Sequence, residues 1–262
     1  MTALACAGPP ASVLLEARLE GRSLPAFPAP VPTTLADAYA CQKSLCAALA
    51  SPVQGWKVGR IPEPFVEKLE TERLAGPVLR CVAMEGAAGT AHIFEEGAGA
   101  IEAEIMFRLD SVPGRLPRTE GEVRALVGDI RAGFEVASSP AADVHAHAPF
   151  GIIADLGINN GILLGPRLEA DRFEHIAVET RIEGQLVGKG YASAILDGPW
   201  GALRFLLGLH FDGTILLAPG QWISAGAITG VHPIGIGQRA IATYGSDIVL
   251  ECIAAAETGY AR

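Results

Sequence analysis

The chain has 262 residues and a formal net charge of −9, from 20 Lys and Arg against 29 Asp and Glu. Half of it is hydrophobic and 19% is charged, which excludes an intrinsically disordered chain and provides for one sizeable core. The acidic balance argues against a nucleic-acid partner, and no apolar run reaches the roughly 18 residues of a membrane span.

The opening MTALACAGPP lacks a basic segment followed by a sustained apolar one, so no signal peptide is expected. Residues 12–22 read as a helix with Ser12 as N-cap. Pro25, Pro28, Pro30 and Pro32 make a linker. A second helix follows over LADAYACQKSLCAALA, capped by Thr33 or Thr34 and stopped by Pro52. These segments, residues 1–54, are expected to form an N-terminal helical cap.

From residue 55 to 262 the pattern changes to a β-rich core. Short β-prone runs alternate with Gly and Pro: GWKVG, GAIEAEIMFRL, GIIADLG, GILLGP, HIAVETRIEG, WISAGAI, RAIATYG and DIVLECIA. Two helices interrupt them. One spans 119–132, with Thr119 and Glu122 in a capping-box pattern, and one spans 199–211, with Pro199 at its start. Helices first and then many strands predict an α+β fold with mixed sheets. The cysteines Cys6, Cys41, Cys46, Cys81 and Cys252 are scattered, odd in number and without a CxxC, as expected of free thiols in a reducing cytosol.

The most informative residues are acidic. Glu102 and Glu104 stand two apart on a strand and therefore point the same way. Their neighbours Ile101, Ala103, Ile105, Met106 and Phe107 are apolar, so the strand reads as buried. A third acid, Glu135, stands alone in GFEVASS. Buried carboxylates are costly unless paired or bound to a cation. The functional reading is a Mg²⁺ or Mn²⁺ site with oxygen ligands; the alternative is solvated carboxylates or arginine partners. Lys57, between glycines in GWKVG, is either a core lysine extending its ammonium to water or a donor to an anionic ligand. Asp155 in IIADLG either caps a turn or orients another group.

Other motifs fall away. GQLVGKGYAS around Lys189 has a phosphate loop's lysine but the wrong glycine spacing, and GIGQRA lacks its third glycine. His145 and His147 form an HxH in a loop-like Ala/Pro/His composition with no third ligand at zinc-like spacing.

The stretches LADAYACQ, GWKVG, LAGPVL, IEAEIMFRL, GFEVASS, IIADLGINNGILLGP, GKGYASAILDGPWGALRFL and APGQWISAGAITG occur in an order that resembles one family. It is the 2-keto-4-pentenoate hydratase and 4-oxalocrotonate decarboxylase group of the fumarylacetoacetate hydrolase superfamily. The resemblance implies a mixed-sheet β-roll or sandwich core, a homo-oligomer, and a divalent metal held by Glu102, Glu104 and Glu135. It implies Lys57 as carboxylate anchor or proton donor, with Asp155 orienting it. The family's ADN motif stands here as Asp155 followed by Leu156, and Ile158 replaces a frequent Ser. Leu156, Ile158 and Asn159 are therefore expected beside the substrate, with Asn159 and Asn160 offering replacement polar groups.

The activity the resemblance implies is addition of water to a 2-hydroxy-2,4-dienoate, giving a 4-hydroxy-2-oxo acid, in aromatic catabolism in the cytoplasm. The alternatives are decarboxylation of a 4-oxalocrotonate-type acid or acylpyruvate C–C hydrolysis on the same site. A non-catalytic partner subunit is the reading from another class, and a complex with a pathway decarboxylase is the corresponding partner.

Overall fold

The computed structural model describes residues 8–84, 86 and 88–260. Cys6, and the first seven residues used for the signal-peptide expectation, lie outside them. The elements in chain order are α1 (Ala11–Glu20), α2 (Leu35–Leu49), β1 (Gly55–Arg60), α3 (Glu63–Leu69), β2 (Arg73–Val78), β3 (Cys81–Ala83), β4 (Gly89–Ile93) and β5 (Ala98–Leu109). Then come α4 (Glu120–Arg124), β6 (Val127–Ser139), α5 (Phe150–Ala154), β7 (Asn159–Arg167), β8 (Ala177–Ile182) and β9 (Gln185–Tyr191). The chain closes with α6 (Gly198–Phe211), β10 (Trp222–Ser224), β11 (His232–Pro233), β12 (Arg239–Tyr244) and β13 (Ile248–Ala256).

Two mixed sheets form the core. The larger runs β2-β1-β10-β5-β6-β7-β3, with β11 also paired to β5; the smaller runs β4-β13-β12-β8-β9. Parallel pairs β1/β10, β3/β7 and β4/β13 sit among antiparallel ones. This is the expected α+β, mixed-sheet architecture. The long strands β5 and β6 are its axis, and their side chains are buried along most of their length. Strands covered on both faces read as apolar runs rather than as alternation. Helix α6 closes one side of the core, where Trp200 stacks on Phe107 at 4.4 Å between ring centroids.

Local signals set several boundaries. Thr34 accepts a hydrogen bond from the Asp37 N–H and caps α2, as expected. Thr119 does the same for α4 through Glu122. That helix ends at Arg124, however, and the rest of the expected 119–132 helix belongs to β6. Residues 127–132 hydrogen-bond to β5, and this pairing overrides a weak helical period. Helix α1 begins at Ala11 with Pro10 in the N-cap position, so Ser12 is inside the helix and does not cap it.

The run GIIADLG is not a strand. It forms α5 and a left-handed turn, because both faces of so short an apolar run are buried and its period cannot separate strand from helix. Helix α3, built from EPFVEKL, had no expectation. His145 and His147 fall in a single helical turn over Val144–His147. Cys41, Cys46, Cys81 and Cys252 are free thiols. Among the described residues, no helix is long and apolar enough to cross a membrane.

The N-terminal helices pack into the core. Leu14, Leu15 and Leu45 share one cluster with Ala137, Ala154 and Leu156. Arg18 of α1 is completely buried.

Candidate metal and active site

The β5/β6 register brings the three acids together. Glu102 faces Glu135 directly across the ladder, and Glu104 faces Gly133. Gly133 matters for close packing: a Cβ there would lie 2.6 Å from Met106 Cγ and 2.8 Å from the Leu163 carbonyl. The Tyr244 hydroxyl fastens this part of the ladder, reaching the carbonyls of Glu104 at 2.9 Å and Gly133 at 2.8 Å.

One carboxylate oxygen of each of Glu102, Glu104 and Glu135 lies within 4.8 Å of the others. All three residues are buried, at 6%, 1% and 0% exposure. Glu104 Oε2 accepts from Ser224 Oγ at 2.5 Å and from the Gly226 N–H at 2.9 Å. Glu135 Oε1 accepts from Asn159 Nδ2 at 3.1 Å and pairs with Lys57 Nζ at 3.2 Å. The other oxygens, Glu104 Oε1 and Glu135 Oε2, are buried without a hydrogen-bond partner.

That pattern tests the fit of a cation. Unpartnered buried carboxylate oxygens cost free energy, and native structures rarely leave them so. Here each of two acids has one oxygen anchored by the protein and one left free within the cluster. Three carboxylates facing one lysine leave a negative excess that a hard divalent ion, which prefers oxygen ligands, would neutralise.

The proton affinities agree. Burial, with Glu135 beside it, pushes Glu102 up to about 8, against the pull of Lys57. Burial and the neighbouring acids push Glu104 well above the usual carboxylate range, although Ser224 and Gly226 oppose this. Burial opposes the charge on Lys57, but Glu135, Glu102 and Glu104 together hold its ammonium above the ordinary lysine range. Lys57 is thus a fixed cation here and not a base.

Lys57 and Glu102 line a cavity of about 410 Å³, in the size range of small-molecule sites. Its wall includes Ile158, Ile152, Ile195 and Leu196, with His145 among the few polar residues. Desolvation, and then the Lys57 charge, push the His145 imidazole pKa down.

The remaining expected residues are placed differently. Asp155 does not meet Lys57: its Oδ1 accepts from Arg18 Nε at 2.8 Å, and Arg18 also donates to the Asp155 carbonyl at 3.4 Å. After Asp155 the chain makes a turn in which Leu156, Gly157 and Ile158 all have positive φ, at 56°, 67° and 56°. Such a run costs free energy at the two non-glycine positions. The turn sends Leu156 away from the cavity into the cluster beneath α1 and turns Ile158 toward the cavity. At Gly157 a Cβ would sit 2.8 Å from Gly76 Cα and 3.1 Å from Lys57 Cδ, so only glycine lets the turn pack on the lysine stem. Asn159 braces Glu135, as noted. Asn160 joins a buried network, donating to Glu257 Oε2 at 2.7 Å and accepting from the Tyr260 hydroxyl at 3.1 Å.

No protein-family model matches the chain, and no curated protein matches it. Solved structures do. The 4-oxalocrotonate decarboxylase from Pseudomonas putida G7, complexed with magnesium and adipate, aligns with a TM-score of 0.76 at 19% identity, over 96% of this chain and 97% of that one. Fumarylpyruvate hydrolase from Pseudomonas aeruginosa, in complex with Mn²⁺ and pyruvate, gives 0.57 at 14% identity, over 78% and 91%. A yeast fumarylacetoacetate hydrolase family protein gives 0.55 at 15% identity, over 80% and 96%. The chain has the fumarylacetoacetate hydrolase fold. Within that fold the acid cluster belongs to the central β5/β6 ladder of the larger sheet.

Sequence reasoning missed Ser224 and Gly226, although both lie in the WISAGAI run, and it missed Arg18. Ser224 and Gly226 hold Glu104 through contacts across more than a hundred residues, and no local pattern announces them.

Proposed function

We propose that the protein is a divalent-metal-dependent lyase acting on a short 2-oxo acid or its 2-hydroxydienoate enol, with Mg²⁺ or Mn²⁺ held by Glu102, Glu104 and Glu135. The observation that carries the reading is the pair of free buried oxygens, Glu104 Oε1 and Glu135 Oε2, inside a cluster with only one lysine. A divalent ion bound there supplies Lewis acidity toward a 2-oxo oxygen and its neighbouring carboxylate.

The chain's own groups fit the rest of the chemistry. Lys57, kept protonated by the acids, anchors a substrate carboxylate or stabilises an enolate oxygen. Ser224, Gly226 and Asn159 fix the carboxylates that would otherwise swing. Ile158, Ile152 and Ile195 line an apolar wall that keeps water away from the substrate's carbon chain. His145 lines the cavity as an imidazole whose lowered pKa favours the neutral form, which can accept a proton.

Hydration of a 2-hydroxy-2,4-dienoate, giving a 4-hydroxy-2-oxo acid, is the first reading. Decarboxylation of a 4-oxalocrotonate-type acid is the second, since both pass through one dienolate. The apolar side chain of Ile158 on the cavity wall favours the second, because a water nucleophile needs polar partners. Neighbours with the same fold include a 4-oxalocrotonate decarboxylase and a fumarylpyruvate hydrolase. We place the protein in the cytoplasm as a homo-oligomer, with a pathway decarboxylase as a candidate partner.

The test is product analysis with 2-hydroxy-2,4-dienoates and 4-oxalocrotonate, with Mg²⁺ or Mn²⁺ and with chelator. Metal-dependent formation of a hydroxy-oxo acid or of carbon dioxide supports the reading. No turnover, together with no Mn²⁺ binding by calorimetry, returns the chain to a non-catalytic partner role.

A further inference from the structure

Gly188 and Gly190, from the GQLVGKGYAS run whose spacing does not suit a phosphate loop, lie on β9. Their surroundings lead back to the acid cluster. Strands β10 and β11 both pair with β5 on the side away from β6, and residues 225–231 join them along that side. The Ala225 N–H donates to the Ile105 carbonyl at 3.1 Å, and the Ile228 N–H to the Ala103 carbonyl at 3.0 Å. The segment thus runs beside Glu102 and Glu104. Ala225, Gly226, Ala227, Gly230 and Val231 line the cavity, and the Gly226 N–H is one of the two donors that fix Glu104 Oε2.

Gly226 and Gly230 have φ of 113° and 103°, where the backbone is at its most adaptable. Two hydrogen bonds to β5 do not by themselves hold such a segment in one position. The smaller sheet holds it from the other side.

Thr180 of β8 and Gly188 of β9 are cross-strand partners, as are Val178 and Gly190. A Cβ at Gly188 would collide with the Thr229 carbonyl and lie 2.8 Å from the His232 imidazole. A Cβ at Gly190 would collide with the Ile228 carbonyl. Glycine at both positions therefore lets the segment's backbone rest on β9. Beside this seat the Thr180 and Thr229 hydroxyls meet at 2.8 Å, and the Thr229 hydroxyl meets His232 Nε2 at 3.1 Å. Thr180 is 0% exposed and His232 8%. Buried polar groups that lose such partners pay their desolvation in full, so the contact keeps the segment seated.

We propose that Thr180, Thr229 and His232, with the glycine seat at 188 and 190, are positioning residues for the metal site. They act through residues 225–231. By fixing that segment they hold the Gly226 N–H on Glu104 Oε2, which leaves Glu104 Oε1 free within the cluster. The inference rests on the proposed role of Glu104 as a metal ligand. It does not depend on whether the reaction is hydration or decarboxylation. Losing a direct outer partner of a ligand commonly costs about 10- to 100-fold in metal affinity, and these residues stand one link further out.

The experiment is Mn²⁺ calorimetry beside thermal melts with chelator, on the full chain and its variants. Thr180→Val keeps the side chain's shape and removes the hydroxyl, whereas Thr180→Ser keeps the hydroxyl. Thr180→Val is expected to weaken Mn²⁺ binding about threefold to tenfold, and Thr180→Ser to stay within about twofold of the unaltered chain. Thr229→Val should weaken binding at least as much. The double variant should bind no more weakly than Thr229→Val alone, because both changes break one link. A purely structural role would lower the melting midpoint and leave the affinity unmoved. Unchanged Mn²⁺ affinity in Thr180→Val, or equal losses in Thr180→Val and Thr180→Ser, overturns the inference and leaves the proposed function standing. Thr229 is only partly buried, so if Thr180→Val does not fold, unchanged affinity in Thr229→Val overturns the inference instead. If the unaltered chain binds no Mn²⁺, the proposed function falls, and the inference falls with it.

Discussion

Arg18 Nε and Asp155 Oδ1 meet at 2.8 Å with both side chains at 0% exposure, which ties the first helix to the turn behind the cavity. The ion pair lies under a turn whose backbone is unfavourable at Leu156 and Ile158. It therefore holds a strained segment that supports Lys57 from one side and supplies Ile158 to the cavity wall from the other.

Replacing Arg18 with Met leaves Asp155 buried without its partner. Removing one member of such a pair typically costs about 3 to 5 kcal/mol. The double replacement Arg18→Met with Asp155→Leu should recover much of that stability. Urea denaturation of the two single variants and the double variant checks this. Equal destabilisation by the double and single variants would show that the pair's charge balance is not what matters.

Glu104→Gln should lower Mn²⁺ affinity at least about tenfold and abolish metal-dependent turnover, with the fold intact. The neutral amide keeps the volume and can still accept from Ser224 and Gly226 while losing the negative charge. Calorimetry with Mn²⁺, beside a circular dichroism spectrum, reads both effects. Full activity in this variant would reject the metal assignment.

Lys57→Met separates anchoring from metal binding. Mn²⁺ should still bind, because the three acids remain and a competing cation is gone. Turnover should fall by about 10²-fold or more, since a preorganised positive charge is lost from the site. Steady-state kinetics beside Mn²⁺ titration gives the answer.

The metal-free protein should lose stability as pH rises. Folded Glu102 keeps its proton up to about 8, against an ordinary value of 4.5. The folded state thus binds more protons than the unfolded chain across that window, and stability falls as pH climbs through it. The stabilisation is complete below the ordinary value and is lost by the folded one. Added Mn²⁺ should reverse the trend, raising the thermal midpoint more at about pH 8 than at about pH 6, because binding requires deprotonated ligands. Melting curves with chelator and with Mn²⁺ check the sign.

The acid pair was legible because strand alternation is a local rule: Glu102 and Glu104 had to share a face. The caps at Thr34 and Thr119 were legible for the same reason, each being settled within three residues. Register is not local. Nothing in the sequence near Ser224 says that it reaches Glu104. The Asp155 assignment shows the limit most plainly. The family resemblance implied that Asp155 orients Lys57, but its carboxylate pairs with Arg18, 137 residues away in sequence. The expected strand at GIIADLG failed because a short apolar run buried on both faces has no usable period.

The buried network around Arg18 joins the two ends of the described chain. The Tyr260 N–H donates to the Arg18 carbonyl at 3.1 Å, Asn160 links Arg18 to Glu257, and a Cβ at Gly21 would strike the Glu257 carbonyl at 2.6 Å. During synthesis, α1 emerges long before Glu257 and Tyr260, and its buried arginine has its full set of partners only once they follow. Contacts this distant in sequence slow folding. A nascent chain stalled before Glu257 would then hold the acid cluster's strands without the lock behind them.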